Sequence, residues 1–442
     1  MHFNTLKEWL DWQTSLNPQE IKLGLNRIRT VAQRLNLLHP PFPIISVAGT
    51  NGKGSSIALL DAILSAAGYR VGRYTSPHLL RYNERICIGG IEASDQEISQ
   101  VFELIEEMRK TVPLTFFEFG TLAAMLIFQQ QKIDLALLEV GLGGRLDAVN
   151  IFDADIALVT AIDIDHVDWL GPDRESISFE KAGIFRAQHP AVCSDAKPPQ
   201  RLIKHAAQLE TPLFYLTNDF AYNKNNHQTW NWHQIEKQTE KNHLSEKQRF
   251  LKKGGFLNLP TPQMPGDFQL QNAAGVLMVL TLLNHQKKFL IPESAIHQGL
   301  KNVKIPGRFQ ILPGRVTRIL EVTHNPLSAK VLADLLRQHP CQGKTHALVG
   351  MLKDKDIASV LSIMQDSIDY WHIAPLKVPR AATPVYLSNH LTAIGIHHIM
   401  LHSSSITKAY EYLLAKIPDG DRIIVFGSFY TVAEALRVET EN

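Results

Sequence analysis

Apolar residues along the chain fall into two rhythms. The runs at 43–47, 70–74, 133–140 and 155–162 are short and largely apolar, as strands covered on both faces are, whereas 56–67 alternates apolar and small residues at helical spacing. Strand-like runs followed by helical stretches predict an α/β fold with a mostly parallel sheet covered by helices. Helical patterns at 269–283 and 292–301 close this first region. Beyond Lys304-Ile305-Pro306-Gly307, the best hinge candidate, runs at 316–322, 345–349 and 422–426 with helices between them predict a smaller doubly wound domain. The expected domains are therefore 1–303 and 304–442.

Between 218 and 253 the composition turns to Asn, Gln, His, Lys and Glu. The alternation Thr229-Trp230-Asn231-Trp232-His233 predicts a half-buried strand, and 236–253 an exposed excursion whose charges form a solvated face. A formal charge of +2 over 442 residues gives no reason to expect a nucleic-acid partner. Cys87, Cys193 and Cys341 are scattered and odd in number, which suits a reducing compartment. The amino terminus lacks a basic-then-apolar signal pattern, and no apolar run reaches about 18 residues. A cytoplasmic protein without a membrane partner is expected.

Four polar segments follow predicted strand ends, at 49–55, 75–78, 139–144 and 163–166, so they should share the carboxyl edge of one sheet, where ligands of such sheets bind. The first, Gly49-Thr50-Asn51-Gly52-Lys53-Gly54-Ser55, lies in a strand-to-helix turn. Its backbone and helix amides suit a nucleotide polyphosphate, Lys53 suits phosphate charge, and the Ser55 hydroxyl suits Mg2+. A standard phosphate loop would have Gly at Val47 and Ser or Thr at Gly54, so Ser55 comes one place late; a plain glycine turn is the alternative. Glu139 at a strand end is a Mg2+ ligand candidate or a turn-capping carboxylate. His166, in Asp163-Ile164-Asp165-His166, would be an unusual Mg2+ ligand and otherwise a structural histidine. Lys181 is either a simple ion-pairing lysine or, with its pKa lowered by burial, an amine able to take up carbon dioxide as a carbamate.

These segments belong to an ordered series of blocks: Tyr74-Thr75-Ser76-Pro77-His78-Leu79, Tyr82-Asn83-Glu84-Arg85-Ile86, Glu139-Val140-Gly141-Leu142-Gly143-Gly144-Arg145-Leu146-Asp147, His166-Val167-Asp168-Trp169-Leu170-Gly171, Glu180-Lys181-Ala182-Gly183-Ile184, Gly307-Arg308-Phe309-Gln310 and His324-Asn325-Pro326. With the glycine loop they resemble the folylpolyglutamate synthase and dihydrofolate synthase family, relatives of the Mur ligases of cell-wall synthesis, from about residue 20 to the carboxyl end.

The resemblance implies an amino-terminal P-loop ATPase domain of Mur ligase type, a smaller carboxyl-terminal Rossmann-like domain, and reaction in the cleft between them. It implies ATP and two Mg2+ ions, one held by Ser55, Ser76 and Glu139, the other by Glu139, His166 and carbamylated Lys181. Gly49, Thr50, Asn51, Gly52, Lys53 and Gly54 would cradle phosphate, Asn272 would meet adenine, and Arg308 would reach nucleotide phosphate. Thr75, Pro77, His78, Arg85, Arg145 and Asp147 would shape the pterin site, with Phe117, in Phe116-Phe117-Glu118-Phe119, either an aromatic wall or core. His324 matches the active-site histidine of the carboxyl domain and Ser428 a residue near glutamate, or a helix cap. Glu321 stands where the family usually has Asp, and Leu327 replaces a frequent His, which bears on local glutamate or ribose contacts.

The implied reaction activates a substrate carboxylate with ATP as an acyl phosphate, which the amine of L-glutamate attacks, releasing ADP and phosphate. Dihydropteroate and reduced folates are the expected acceptors, for a bifunctional, monomeric enzyme. The alternatives are a folylpolyglutamate synthase without the dihydropteroate activity, a cell-wall amino-acid ligase, and a non-enzymatic nucleotide sensor.

Overall fold

A computed structural model describes residues 3–16, 22–225, 228–235, 254–285 and 289–441; the 236–253 excursion lies outside them. The chain divides into two compact units. The first comprises Met1–His78, Tyr82–Gln263 and Gln269–Val303, the second Leu79–Arg81, Met264–Phe268 and Lys304–Asn442. The two short segments are distant in sequence from the rest of the second unit, so no linear reading of the chain would have grouped them with it.

The strands of the first unit are β1 (Ile44–Ala48), β2 (Val71–Tyr74), β3 (Ile86–Ile88), β4 (Ile91–Glu92), β5 (Leu135–Glu139), β6 (Ile156–Val159), β7 (Ala191–Cys193) and β8 (Leu213–Tyr215). They form one sheet in the order β4-β3-β2-β5-β1-β6-β7-β8. From β2 to β8 neighbouring strands are parallel, and β3 and β4 add an antiparallel edge. Every residue of β1, β5 and β6 is buried, which is why they read as continuous apolar runs. Val47 pairs with Glu139 and Tyr74 with Leu138, so these strands end level and the segments leaving β1, β2, β5 and β6 emerge along one edge. One face carries a core containing Trp9, Phe102, Phe119 and Phe128; a second core gathers Val159, Ile177, Ile184 and Leu202.

A small antiparallel sheet follows, β11-β10-β9, built from β9 (Phe220–Lys224), β10 (Thr229–Gln234) and β11 (Gly255–Pro260). Trp230 and Trp232 of β10 are buried, as their alternation predicts. The helix Phe268–His285 is apolar on all sides and almost wholly buried. Its buried Gln269 and Asn272 therefore stand out, because polar groups in such surroundings need partners.

The second unit holds β12 (Gln310–Leu312), β13 (Thr317–Leu320), β14 (Thr345–Val349), β15 (Tyr370–Ile373), β16 (Ile399–Leu401) and β17 (Arg422–Phe426) in the order β12-β13-β17-β14-β15-β16. Apart from antiparallel β12 the neighbours are parallel. Separate apolar clusters draw on alternate strand residues, Ala347 and Ile424 in one, Leu348 and Val425 in the other, so both faces of this sheet are covered. Among the described residues no helix is long and apolar enough to cross a membrane.

Candidate functional site

The loop after β1 is shaped by what its glycines avoid. A Cβ on Gly49 would lie 1.8 Å from Thr160 Oγ1, and one on Gly52, at φ +91°, 2.4 Å from Asn272 Oδ1. The loop is tied to the end of β6: Thr50 N donates to Ala161 O at 2.8 Å, Thr160 Oγ1 to Asn51 O at 2.7 Å, and Thr50 Oγ1 to Asp163 O at 2.9 Å. The helix Lys53–Ala66 then starts on Gly52, without a side-chain cap. Its first amides are thus presented for an anion, and a Cβ on Gly54 would meet nothing within 4 Å. Lys53 Nζ donates to the loop carbonyls Gly49 O and Thr50 O at 3.0 and 3.3 Å.

Ser76, Glu139 and His166 stand on the neighbouring strand exits. Glu139 is 5% exposed, and its Oε2 accepts from Ser76 N at 3.0 Å. His166, at φ +52°, lies 3.9 Å from Asp165 Oδ2 through Nε2. Lys181, near the end of the helix Arg174–Ala182, is 3% exposed. Burial, reinforced by the charge of Lys53 and opposed by Asp165, lowers its pKa from 10.5 to about 7. Arg145 anchors this helix: its N donates to Glu180 O at 2.7 Å, and its guanidinium meets the Glu180 carboxylate at 2.9 Å.

Among the described residues no three His, Cys, Asp or Glu side chains form a ready metal site. The oxygens of Glu139, Ser55 and Ser76 are nevertheless the ligand type that Mg2+ takes, and they fit a divalent cation at this edge.

The residues expected at the pterin also gather in the first unit. Thr75 N donates to Arg85 O at 2.9 Å, and Arg85 Nε to His78 Nδ1 at 2.8 Å. The Arg85 guanidinium lies 5.4 Å from the Tyr82 ring and 5.5 Å from that of Phe116. Pro77 is exposed. The four-residue aromatic segment divides: Phe119 and Glu118 are buried, while Phe116 and Phe117 remain half-buried, Phe117 with its ring 5.8 Å from Tyr74. Asp147 is a brace. Its oxygens accept from Leu142 N at 2.8 Å and Val149 N at 3.0 Å, and burial pushes its carboxyl up to about 7.

In the second unit Glu321 is buried, accepts from Phe309 N at 2.6 Å and lies 3.8 Å from Arg308. Burial raises its pKa to about 7 against the opposing pull of Arg308. The Arg308 guanidinium lies 5.5 Å from the Phe429 ring. His324 Nδ1 bonds Val322 O at 2.8 Å, which fixes its tautomer with the proton on Nδ1 when neutral. Ser428 is buried and accepts from Thr431 N at 3.1 Å, the geometry of a helix cap.

Sequence reasoning passed over Gln269. Asn272 Nδ2 donates to its Oε1 at 3.0 Å, and its own Nε2 donates to Ser55 Oγ at 3.4 Å. This amide pair joins the expected adenine-side asparagine to the expected metal-binding serine. The signal was a glutamine three places before Asn272 on an otherwise apolar helix.

Residues 47–280 match the Mur ligase middle domain and 307–429 the Mur ligase glutamate ligase domain. The dihydrofolate synthase/folylpolyglutamate synthase of Escherichia coli K12 is 39% identical over 433 residues, spanning 98% of this chain and 95% of that protein. Escherichia coli FolC in complex with DHPP and ADP superposes with a TM-score of 0.87 at 38% identity, over 99% of this chain and 98% of that one. A bifunctional folylpolyglutamate synthase/dihydrofolate synthase with Mn, AMPPNP and L-glutamate bound gives the same TM-score at 42% identity and the same coverage. Matched in both domains and along nearly its whole length, the chain belongs to the dihydrofolate synthase/folylpolyglutamate synthase family of Mur ligases.

Proposed function

We propose that this protein is a bifunctional carbon-nitrogen ligase, which uses ATP to add L-glutamate to dihydropteroate, forming dihydrofolate, and to reduced folates, lengthening a polyglutamate tail. The observation that carries the reading is the joining of the Gly49 to Ser55 loop and Glu139 on one sheet edge, with the buried Lys181 near enough to Lys53 to feel its charge. The related complexes named above hold adenine nucleotide, Mn and L-glutamate or DHPP, which supports the same ligands here.

A carboxylate is a poor electrophile, so activation precedes amide formation. An oxygen of the acceptor carboxylate attacks the γ-phosphorus of ATP, the bond to the β,γ-bridging oxygen breaks, and ADP leaves. Lys53 and the amides at 52–55 neutralise charge on the phosphoryl group in flight. The free amine of glutamate then attacks the acyl phosphate carbonyl, loses a proton, and expels phosphate. Ser55, Ser76 and Glu139 would hold the nucleotide-linked Mg2+, and Glu139, His166 and carbamylated Lys181 a second ion. Bound there, divalent cations supply charge neutralisation at the triphosphate. The Lys181 carbamate forms when the neutral amine attacks carbon dioxide and releases one proton.

Asn272, steadied by Gln269, serves adenine. Arg308 serves nucleotide phosphate, Glu321 the ribose, and His324 and Ser428 glutamate. Thr75, Pro77, His78, Arg85, Phe117 and Arg145 line the pterin side, and Asp147 holds the neighbouring loop. The protein acts as a monomer in a reducing cytoplasm, with no nucleic-acid or membrane partner; free Cys87, Cys193 and Cys341 suit the reducing compartment, and a net charge of +2 gives no reason to expect nucleic acid.

The chemistry is tested with acceptor carrying 18O in its carboxylate. Acyl-phosphate activation transfers one labelled oxygen to the released phosphate, and unlabelled phosphate accompanying amide product would refute it.

A further inference from the structure

Three histidines that the proposed ligase chemistry does not use stand in a row in the second unit. His346 Nε2 lies 3.0 Å from Asp421 Oδ2, His346 Nδ1 3.3 Å from His372 Nε2, and His372 Nδ1 3.2 Å from His402 Nε2. The row crosses the sheet, from the residue before β17, through β14 and β15, to the residue after β16. Asp421, His346 and His372 are 8%, 9% and 6% exposed, and His402 is half-exposed, so the chain runs from the interior toward solvent.

A neutral imidazole has one donor and one acceptor nitrogen. Asp421 accepts at both oxygens, Oδ1 taking Lys344 N at 2.8 Å, so His346 Nε2 must donate to Oδ2. Its Nδ1 then accepts from His372 Nε2, and His372 Nδ1 from His402 Nε2. With all three rings neutral, each carries its proton on Nε2. One added proton leaves every bond in place but reverses the two between histidines. His402 gains a proton on Nδ1 and passes that on Nε2 to His372 Nδ1; His372 passes its Nε2 proton to His346 Nδ1. We infer that Asp421, His346, His372 and His402 form a one-proton relay, in which a proton taken up at His402 comes to rest on His346 against Asp421 and the rings between exchange tautomers.

His372 is unsuited to keep the charge. It is buried between two imidazoles, and burial followed by their charges lowers its pKa to about 3. A second carboxylate, Asp369, also feels the charge of His346 and is engaged by Lys344 at 2.8 Å; Tyr370 stacks on His346 at 4.9 Å, His398 meets the Tyr370 edge, and Tyr412 that of His402. Arg422 turns to Thr345. A second proton would set two N–H groups head to head and break a link across the strands. Because the folded pKa of His372 lies below the unfolded value, its contribution to stability is present above about pH 6.5 and is lost as pH falls toward 3.

The test is nitrogen NMR of the full chain with ring-15N histidine, followed from pH 8 downward. His346, His372 and His402 should start with the proton on Nε2. His372 and His402 should change to the Nδ1 form at the midpoint where His346 becomes imidazolium. Asp421→Asn, which keeps an acceptor for Lys344 N, should lower that shared midpoint by about one pH unit or more. His402→Phe should leave the His346 bond to Asp421 but abolish the tautomer change at His372. Separate midpoints, a His372 tautomer that never changes, or an unmoved midpoint in Asp421→Asn would overturn the relay.

Discussion

Replacing Lys181 by Met separates two effects that a simple structural lysine would keep together. The side chain is 3% exposed, and its pKa falls from 10.5 to about 7, chiefly through burial. Holding such an amine charged costs roughly 5 kcal/mol, since each unit is worth about 1.4 kcal/mol. The sign follows from proton binding. Between pH 7 and 10.5 the unfolded chain holds a proton that the native state has released, so native stability rises with pH across that window. Below pH 7 the full cost applies. Methionine is of similar length and uncharged, so Lys181→Met should be more stable than the parent at pH 7, by on the order of 1–4 kcal/mol, with the difference shrinking toward pH 10.5. Turnover should nevertheless fall by at least about 100-fold, because the proposed carbamate can no longer form, and Lys181→Arg should not restore it. Denaturant unfolding from pH 6 to 10, together with ADP release, reads both quantities. Bicarbonate added to carbon-dioxide-depleted buffer should stabilise and activate the parent alone. Normal turnover in Lys181→Met, or a destabilisation independent of pH, would refute the reasoning.

Other substitutions address separate parts of the site. Gly52→Ala puts a Cβ 2.4 Å from Asn272 Oδ1 at φ +91°, and the strain of about 1–3 kcal/mol should raise the KM for ATP by roughly 10-fold or more in initial-rate measurements. Gln269→Leu removes the hydrogen bonds to Asn272 and Ser55, so the Mg2+ and ATP requirements should both rise by roughly 5–30-fold in a metal titration, whereas the KM for glutamate should not change. Glu321→Gln keeps an acceptor for Phe309 N. The parent carboxyl, raised to about 7 by burial, gives stability that is present below about pH 4.5 and lost as pH rises through 7. Thermal unfolding of the variant should therefore be flatter than the parent's between pH 4.5 and 7.

The interior strands and the glycine loop were legible because each is fixed by local chemistry. Strands β1, β5 and β6 are buried along their whole length, so nothing interrupts their apolar runs, and level ends in a parallel sheet bring their exits to one edge. The edge strands β3 and β4, three and two residues long, are too short for a period to show, and their pairing is set by neighbours. Gln269 was hidden by its apolar helix. The roles of Asp147 and Ser428 depended on which backbone amides they meet, a matter of folded geometry. His346, His372 and His402 are separated by 26 and 30 residues, so only the side-by-side placement of their strands reveals them as a chain.

The most direct test of the ligase reading is a paired-acceptor assay with purified full chain, ATP, Mg2+ and L-glutamate, supplying dihydropteroate in one reaction and tetrahydrofolate in the other. The account predicts glutamylated product in both, with one ADP released per amide bond. Product from tetrahydrofolate alone would contradict bifunctionality, and folded protein that binds ATP but yields ADP with neither acceptor would contradict the ligase itself.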